Sequence, residues 1–374
     1  MGGGFLLRRL PAKGAALLLP TGQTMTADRT PPSAALTRVA DLVTEGLVPA
    51  GKAEGLEAVA ERFRIRLSPA MRDQAASPGI AAQFVPTLAE AITRPEELVD
   101  PIGDRAYSPA PGLTHRYPDR VILAVTQVCE VYCRFCFRRE TVGATGVLPE
   151  GDLAQAIDYI ARTPAIREVI LTGGDPMSLS ARRLAAVLDR LEAVPHVETL
   201  RIHSRVPVVA PERVDAAMVA ALDREKPVHL VIHTNHPDEL TPNAAAAMRR
   251  LNRAGVAMFS QSVLLRGVND DADVLEALFR GLLRNRVKPY YLHHCDLAEG
   301  TSHFRTTIAE GRAIMAELKR RLSGLGLPSY VLDIPGGAGK VMLTSAHAQP
   351  AGEGHWQVTD RLGRVHAYAD PARA

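Results

Sequence analysis

The sequence predicts an α/β protein: an open, partial (β/α)6 barrel of the TIM type, with a helical N-terminal region and a short C-terminal hairpin extension. Three observations predict it. From residue 121 onward, short β-branched runs alternate with long amphipathic segments, the mark of a parallel sheet with crossover helices. Polar residues ill suited to packing follow nearly every run, as they do at the C-terminal strand ends of a barrel. After the sixth strand–helix unit one more strand remains, and too few residues follow for an eight-fold barrel.

The 374 residues are 46% apolar and 23% charged, with 4 Cys, 29 Gly and 27 Pro, which excludes disorder, collagen-like repeats and a disulfide scaffold. A net charge of +3, evenly spread, gives no reason to expect a nucleic-acid partner. No stretch approaches the roughly 18 apolar residues of a membrane span, so no membrane partner is expected and the cytoplasm is the expected location. Lysine occurs only at positions 13, 52, 226, 288, 319 and 340, so a lysine inside a motif calls for an explanation.

Residues 1–32 read as a flexible tail. The opening MGGGFLLRRLPAKGAALLLP is basic and then apolar, but its run 15–20 is shorter than the about 7 to 15 residues of a signal h-region. Met25 is a candidate start. Residues 33–110 form the helical region: Leu36, Val39, Leu42, Val43 and Leu47, then Leu56, Val59 and Phe63, recur at helical spacing, and the turn-rich stretch 95–111 bounds it. The barrel occupies 111–345. Its strands are expected at 121–126, 168–171, 199–202, 229–232, 257–259 and 289–292, with helices at 152–162, 181–193, 214–224, 242–254, 272–286 and 308–322. Thr241 with Pro242 reads as an N-cap followed by proline at N1, and Gly255 as the residue closing that helix. A seventh strand is expected at 330–334, and 346–374 form the extension, with a hairpin around Leu362 and Gly363.

Directly after the first strand, Cys129, Cys133 and Cys136 stand in CEVYCRFC. Clustered cysteines in an α/β enzyme point to metal or redox chemistry rather than to a disulfide. A structural zinc site closes with four ligands, and no second Cys or His pair lies at zinc-finger spacing. Three thiolates suit an iron–sulfur cluster with one open iron. Gly173-Gly174-Asp175 follows the second strand.

The CxxxCxxC spacing, with Phe135 before the last cysteine, resembles the signature of the radical S-adenosylmethionine (SAM) superfamily. GLTHRYPDR, CRFCFRR, LTGGDP, RIHSRVPVV, HTNHP, QSVLLRGVND, PYYLHHCD and DIPGGAGK extend the resemblance, across most of 111–345, to lysine 2,3-aminomutases. It implies a radical SAM core carrying a [4Fe-4S] cluster on Cys129, Cys133 and Cys136, SAM, and pyridoxal 5′-phosphate (PLP). It also implies an isomerase that moves the α-amino group of L-lysine to the β-carbon.

Lys340, in PGGAGK, matches the family's Schiff-base lysine. The competing P-loop fails, because its first Gly falls at Ile334 and its last position is Val341. Arg116, Tyr117 and Arg120 match residues lining PLP and its phosphate. Gly173, Gly174, Asp175, Ser204, His233 and Gln261 match SAM contacts. Arg138 matches the partner of the substrate α-carboxylate, and Asp296 and Asp333 the carboxylates holding the ε-ammonium. Two neighbouring aspartates repel unless a cation sits between them, so the pair favours a cationic substrate end. The glutamate 2,3-aminomutases resemble this family but lack the acidic pair.

Some points depart from the pattern. Asp271, and no Cys after Cys295, imply that a family zinc site is missing, along with its support for the expected homo-oligomer. His293 and His294 replace an expected aromatic-amide pair. CRFCFRR and RIHSRVPVV are closer to the branch making (R)-β-lysine for elongation factor P, and DIPGGAGK to the free-lysine enzymes. The resemblance therefore leaves open either branch, an aminomutase for another amino acid, or a non-catalytic iron–sulfur and PLP-binding protein. For an enzyme, an electron donor such as flavodoxin or ferredoxin is expected.

Overall fold

The structure, a computed structural model, describes residues 34–344, 348–352, 355–359 and 364–369. The expected tail with Met25, and the turn at Leu362 and Gly363, lie outside these residues.

Nine strands form one sheet in chain order: β1 (Leu113–Tyr117), β2 (Arg120–Thr126), β3 (Glu168–Gly173), β4 (Thr199–Ser204), β5 (Val228–His233), β6 (Ala257–Leu264), β7 (Lys288–His294), β8 (Ser329–Ile334) and β9 (Gly339–Met342). Neighbours from β2 to β8 pair in parallel, while β1 and β9 run antiparallel at the two edges. The seven expected strands are therefore the seven parallel ones. The two edge strands were not foreseen, because each is short and lies beside glycine or proline, where periodicity is weak.

Helices α1 (Val39–Thr44), α2 (Ala53–Arg62), α3 (Pro69–Arg72) and α4 (Pro78–Phe84) precede the sheet, with Pro69 and Pro78 opening α3 and α4 at their first turns. The crossovers are α5 (Glu150–Ala161), α6 (Ala181–Glu192), α7 (Val206–Val209) with α8 (Ala216–Ala221), α9 (Pro242–Arg253), α10 (Ala272–Arg284) and α11 (Ile308–Arg321). In α9 the Thr241 hydroxyl accepts from the Ala244 N–H at 3.2 Å and Gly255 adopts φ +80°, so both ends are built as the sequence predicts. The third crossover corrects the expected 214–224 helix. Asp215 caps it at the Met218 N–H (2.8 Å), and α8 runs only to Ala221.

One apolar cluster runs from Leu36 to Tyr330, filling the space between helices and sheet. Strands alternate across the sheet: in β4, Leu200, Ile202 and Ser204 are buried, while Arg201 and His203 face the interior cavity. In β6, Met258, Ser260, Ser262 and Leu264 are buried, and Gln261 and Val263 face the cavity. The sheet is open, yet its edges communicate. The backbone N–H of Lys340 on β9 donates to the Tyr117 hydroxyl on β1 at 3.0 Å. A Cβ on Gly339, at φ +103°, would stand 3.3 Å from that oxygen.

Beyond the barrel, β10 (Ala348–Gly352), β11 (His355–Thr359) and β12 (Val365–Ala369) form a separate antiparallel sheet. Pairing of Thr359 with Val365 is the register a hairpin between them requires, and β10 is an additional strand.

Tyr117→Phe tests the edge contact. Losing one neutral hydrogen bond costs about 1 kcal/mol, which speeds amide exchange at Lys340 roughly fivefold. Unchanged exchange would show that the hydroxyl does not tie the two edges together.

Candidate active site

A cavity of about 660 Å³ opens at the C-terminal ends of the parallel strands. All the site residues singled out in the sequence line it. Two constellations share it: the three cysteines with the glycines after β3, and Lys340 with the aspartates and arginines.

The cysteine loop follows β2 and is clamped from several sides. Tyr132 N–H donates to the Arg66 carbonyl (2.9 Å), and Arg134 N–H to the Gln83 carbonyl (2.8 Å). The Arg134 side chain turns away from the cavity to Glu90, with Nε 3.0 Å and Nη2 2.6 Å from Oε2. Arg139 grips the same oxygen. Burial acts to raise the Glu90 carboxyl, but Arg134 and then Arg139 outweigh it and hold it below the usual range.

Glycine is required after β3. A Cβ on Gly173, at φ +113°, would stand 2.3 Å from the Thr126 carbonyl, and one on Gly174 2.4 Å from the Val128 carbonyl. That approach lets Gly174 N–H bond Thr126 O (2.6 Å) and Asp175 N–H bond Val128 O (2.8 Å), directly before Cys129. The Asp175 carboxylate is used within the fold: it accepts from Met177 N–H (3.0 Å), Ser204 Oγ (2.7 Å) and Arg205 N–H (2.6 Å). Ser204 Oγ also accepts from Val206 N–H at 3.1 Å. Both side chains expected at SAM thus brace the ends of β3 and β4.

The thiols are free. Burial, then Asp175 and the neighbouring sulfurs, pushes Cys129 well above the ordinary thiol range. Burial and then Cys133 push Cys136 up to about 11. Burial also raises Cys133, against the pull of Arg205, whose Nη1 lies 2.8 Å from the sulfur. Such sulfurs lose their protons to a metal. Among the described residues, no three His, Cys, Asp or Glu are arranged to hold a single ion. A multi-iron cluster meets each thiolate at a different iron, and three cysteines on one loop fit it.

Around the cavity stand His203, His233 and His293, all held below the usual imidazole range, chiefly by burial, and therefore neutral. Each has an Nε2 without a partner among the described residues. Buried nitrogens of this kind call for a ligand.

In the second constellation the Lys340 ammonium is paired with Asp333, and His293 Nδ1 sits 3.3 Å from the same carboxylate oxygen and 3.4 Å from Nζ. Burial acts to raise the Asp333 carboxyl, but His293 and Lys340 hold it well below the ordinary range. Asp296 is the opposite case: burial first, then the Asp333 charge, raises it to about 7. Gly336, Gly337 and Gly339 all have positive φ, giving the lysine a sharply turned backbone that glycine alone adopts freely. Tyr291 lies under Nζ, at 5.3 Å.

The arginines are already engaged. Asp104 takes Nε (3.0 Å) and Nη2 (2.6 Å) of Arg138 on one oxygen, and Nη2 of Arg116 (3.0 Å) on the other. Arg120 stacks on Tyr117 at 3.9 Å. Asp104 was not picked out from the sequence, and His203 and Arg205, noted among the polar residues that follow the strand expected at 199–202, were given no role. Arg205 and His203 stand inside the quoted RIHSRVPVV, so a signal existed, whereas Asp104 lies in a stretch read only as a boundary.

A sequence profile of the Radical SAM superfamily matches residues 123–278. A protein named as a putative L-lysine 2,3-aminomutase in Aquifex aeolicus is 44% identical over 272 residues, covering 71% of this chain and 72% of its own. The chain belongs to the lysine 2,3-aminomutase family of the radical SAM superfamily. The L-lysine 2,3-aminomutase of Fusobacterium nucleatum is 44% identical over 262 residues, 70% of this chain, and the chain spans only 62% of that relative's length. The glutamate 2,3-aminomutase of Clostridioides difficile is 36% identical over 282 residues, covering 75% of this chain and 67% of its own. For this family member, the three-cysteine loop suits the iron–sulfur cluster on which radical SAM chemistry depends.

Two outcomes check this geometry. Gly174→Ala forces a methyl into the Val128 carbonyl, so the purified protein should lose most of its iron while far-ultraviolet dichroism stays unchanged; full iron content would show that the loop tolerates the shift. For Asp296, a carboxyl raised to about 7 is half protonated near pH 7, and a bound cation lowers it. An ammonium ligand that meets Asp296 should therefore bind more tightly as pH increases from about 6 to 8 and level off above, with a proton released on binding. Calorimetry in buffers of different ionisation enthalpy reads that proton, and its absence at pH 6.5 would show that Asp296 does not meet the ammonium.

Proposed function

We propose that this chain is a radical SAM, PLP-dependent aminomutase that converts L-lysine to β-lysine. The observation carrying the reading is a single cavity walled both by the three-cysteine loop and by Lys340 with Asp333 and Asp296. In this reading Cys129, Cys133 and Cys136 hold a [4Fe-4S] cluster. Gly173, Gly174, Asp175, Ser204, His233 and Gln261 form the SAM side, and Lys340, Arg116, Tyr117 and Arg120 the PLP side. When bound, these groups supply one-electron chemistry and a π-system through which an amino group can shift between adjacent carbons.

The chain's own residues bind and orient. Lys340 is the amine that retains the cofactor, and once committed to it, it no longer neutralises Asp333. Asp333 and Asp296 then face each other without a cation, and a ligand ammonium relieves their repulsion. Arg138 takes the ligand carboxylate, and Asp104 shares or yields that guanidinium as it does so. Tyr291, Val263 and Phe135 line the wall and keep water from the reacting atoms. The division into a helical region at 33–110, a barrel at 111–345 and an extension at 346–374 goes with this reading. So do a cytoplasmic location, a homo-oligomer and a one-electron donor of the ferredoxin or flavodoxin class.

A second reading, an enzyme that forms (R)-β-lysine for elongation factor P, rests on the resemblance of the CRFCFRR and RIHSRVPVV segments to that branch. Glutamate as substrate is disfavoured, because a second carboxylate would meet Asp296 and Asp333.

The test is anaerobic turnover of the reconstituted protein, with PLP, SAM and a reductant, on L-lysine and L-glutamate separately, read by chiral chromatography. β-Lysine from lysine alone is expected, and its hand separates the two branches. Lys340→Ala should abolish both turnover and the visible absorbance of bound PLP. Cleavage of SAM with neither amino acid isomerised would reject Asp296 and Asp333 as the substrate's partners.

A further inference from the structure

Arg205, the residue after β4, is buried, and every donor atom of its guanidinium but one has a partner among the described residues. Nη2 donates to Glu239 Oε2 (2.8 Å) and to Gln83 Oε1, while Nη1 lies 2.8 Å from Cys133 Sγ. Its plane sits over Phe84 at 4.6 Å, and its backbone N–H is held by Asp175. The partners are themselves fixed. Gln83 Nε2 donates to the Gly79 carbonyl (2.9 Å), and Glu239 Oε1 accepts from the backbone N–H of Asn235 (2.9 Å) and His236 (3.0 Å). Of the donor atoms, Nε alone has no partner.

Glu239 and Gln83 account for one arm of the guanidinium. They do not account for the other, which addresses a sulfur. A neutral thiol is a weak acceptor, whereas a thiolate bound to iron is a strong one, and a cationic donor makes that contact charge-assisted. Hydrogen bonds to the sulfurs and local charge are the means by which a protein moves a cluster's reduction potential.

We infer that Arg205 is a positioning residue that raises the reduction potential of the cluster by donating a hydrogen bond from its guanidinium to the Cys133 sulfur. The inference rests on the cluster assignment made above. The step it affects is one-electron: the external donor is oxidised, the cluster is reduced, and Arg205 keeps its protons and forms no covalent bond. Reduction adds negative charge beside a fixed buried cation, which favours the reduced form. Without the cation, Glu239 is left as an uncompensated buried charge near the same sulfur and disfavours reduction further.

The experiment uses the full chain, reconstituted anaerobically without SAM or amino acid, with iron and sulfide measured before an EPR-monitored redox titration. Arg205→Gln should move the midpoint to a more negative potential, and Arg205→Lys, which keeps the charge, should move it less. A fully loaded Arg205→Gln protein with an unchanged or more positive midpoint overturns the inference. Should the Gln variant not retain iron, the wild-type chain labelled with 15N-arginine decides. A 15N coupling to the reduced cluster in pulsed EPR, lost in Arg205→Lys, supports the hydrogen bond, and no coupling overturns it. A complete cluster in Cys133→Ala is a different result, since it would remove the cluster assignment itself.

Discussion

Glu90 holds its charge in the interior because two guanidiniums from one loop close on it, and much of the site's geometry depends on that arrangement. Arg134 lies between the second and third cysteines and Arg139 three residues beyond the third. Both turn to the carboxylate contributed by the N-terminal helical region, while Arg134 also donates to the Arg64 carbonyl (2.9 Å) and Arg139 to that of Gly300 (3.1 Å). A buried ionic group of this kind adds little net stability compared with apolar packing, but breaking one member strands the others. Its effect is to fix geometry. Three cysteines on a segment without helix or strand need such a clamp to stand in one arrangement.

The same logic recurs around the cavity. Asp175 joins the ends of β3 and β4, Asp104 joins Arg116 to Arg138, and Asp333 joins Lys340 to His293. In each case an acidic side chain fixes groups expected to meet a ligand. Asp296, for which the described residues offer no such pairing, is raised to about 7 by burial and then by the Asp333 charge. The charged groups around the cavity are thus largely balanced by one another.

The parallel strands and their order were legible in the sequence, because β-branched runs and caps are local signals, and the residues that the resemblance singled out do line the cavity. Gly173 and Gly174 were legible as a motif, but their reason is a carbonyl approach that only the folded chain reveals. Arg205 stood within a quoted segment and still went unassigned. Its partners Cys133, Gln83 and Glu239 lie 72, 122 and 34 residues away, and no spacing rule connects them. Asp104 was missed for the same reason, in a stretch whose turn residues marked only a boundary.

By itself, the sequence determined that a six-crossover parallel sheet forms, that three thiols follow its first strand, and that a rare lysine stands on a glycine-rich turn near its last. These follow from periodicity and side-chain chemistry, which act over a few residues. Tertiary structure alone decided that β1 and β9 meet through Tyr117 and the Lys340 amide, that Ser204 and Asp175 spend their polar atoms on each other, and that a buried cation rests on Cys133. Those outcomes depend on which distant groups must satisfy one another once water is excluded, and that is settled only when the chain has closed around them.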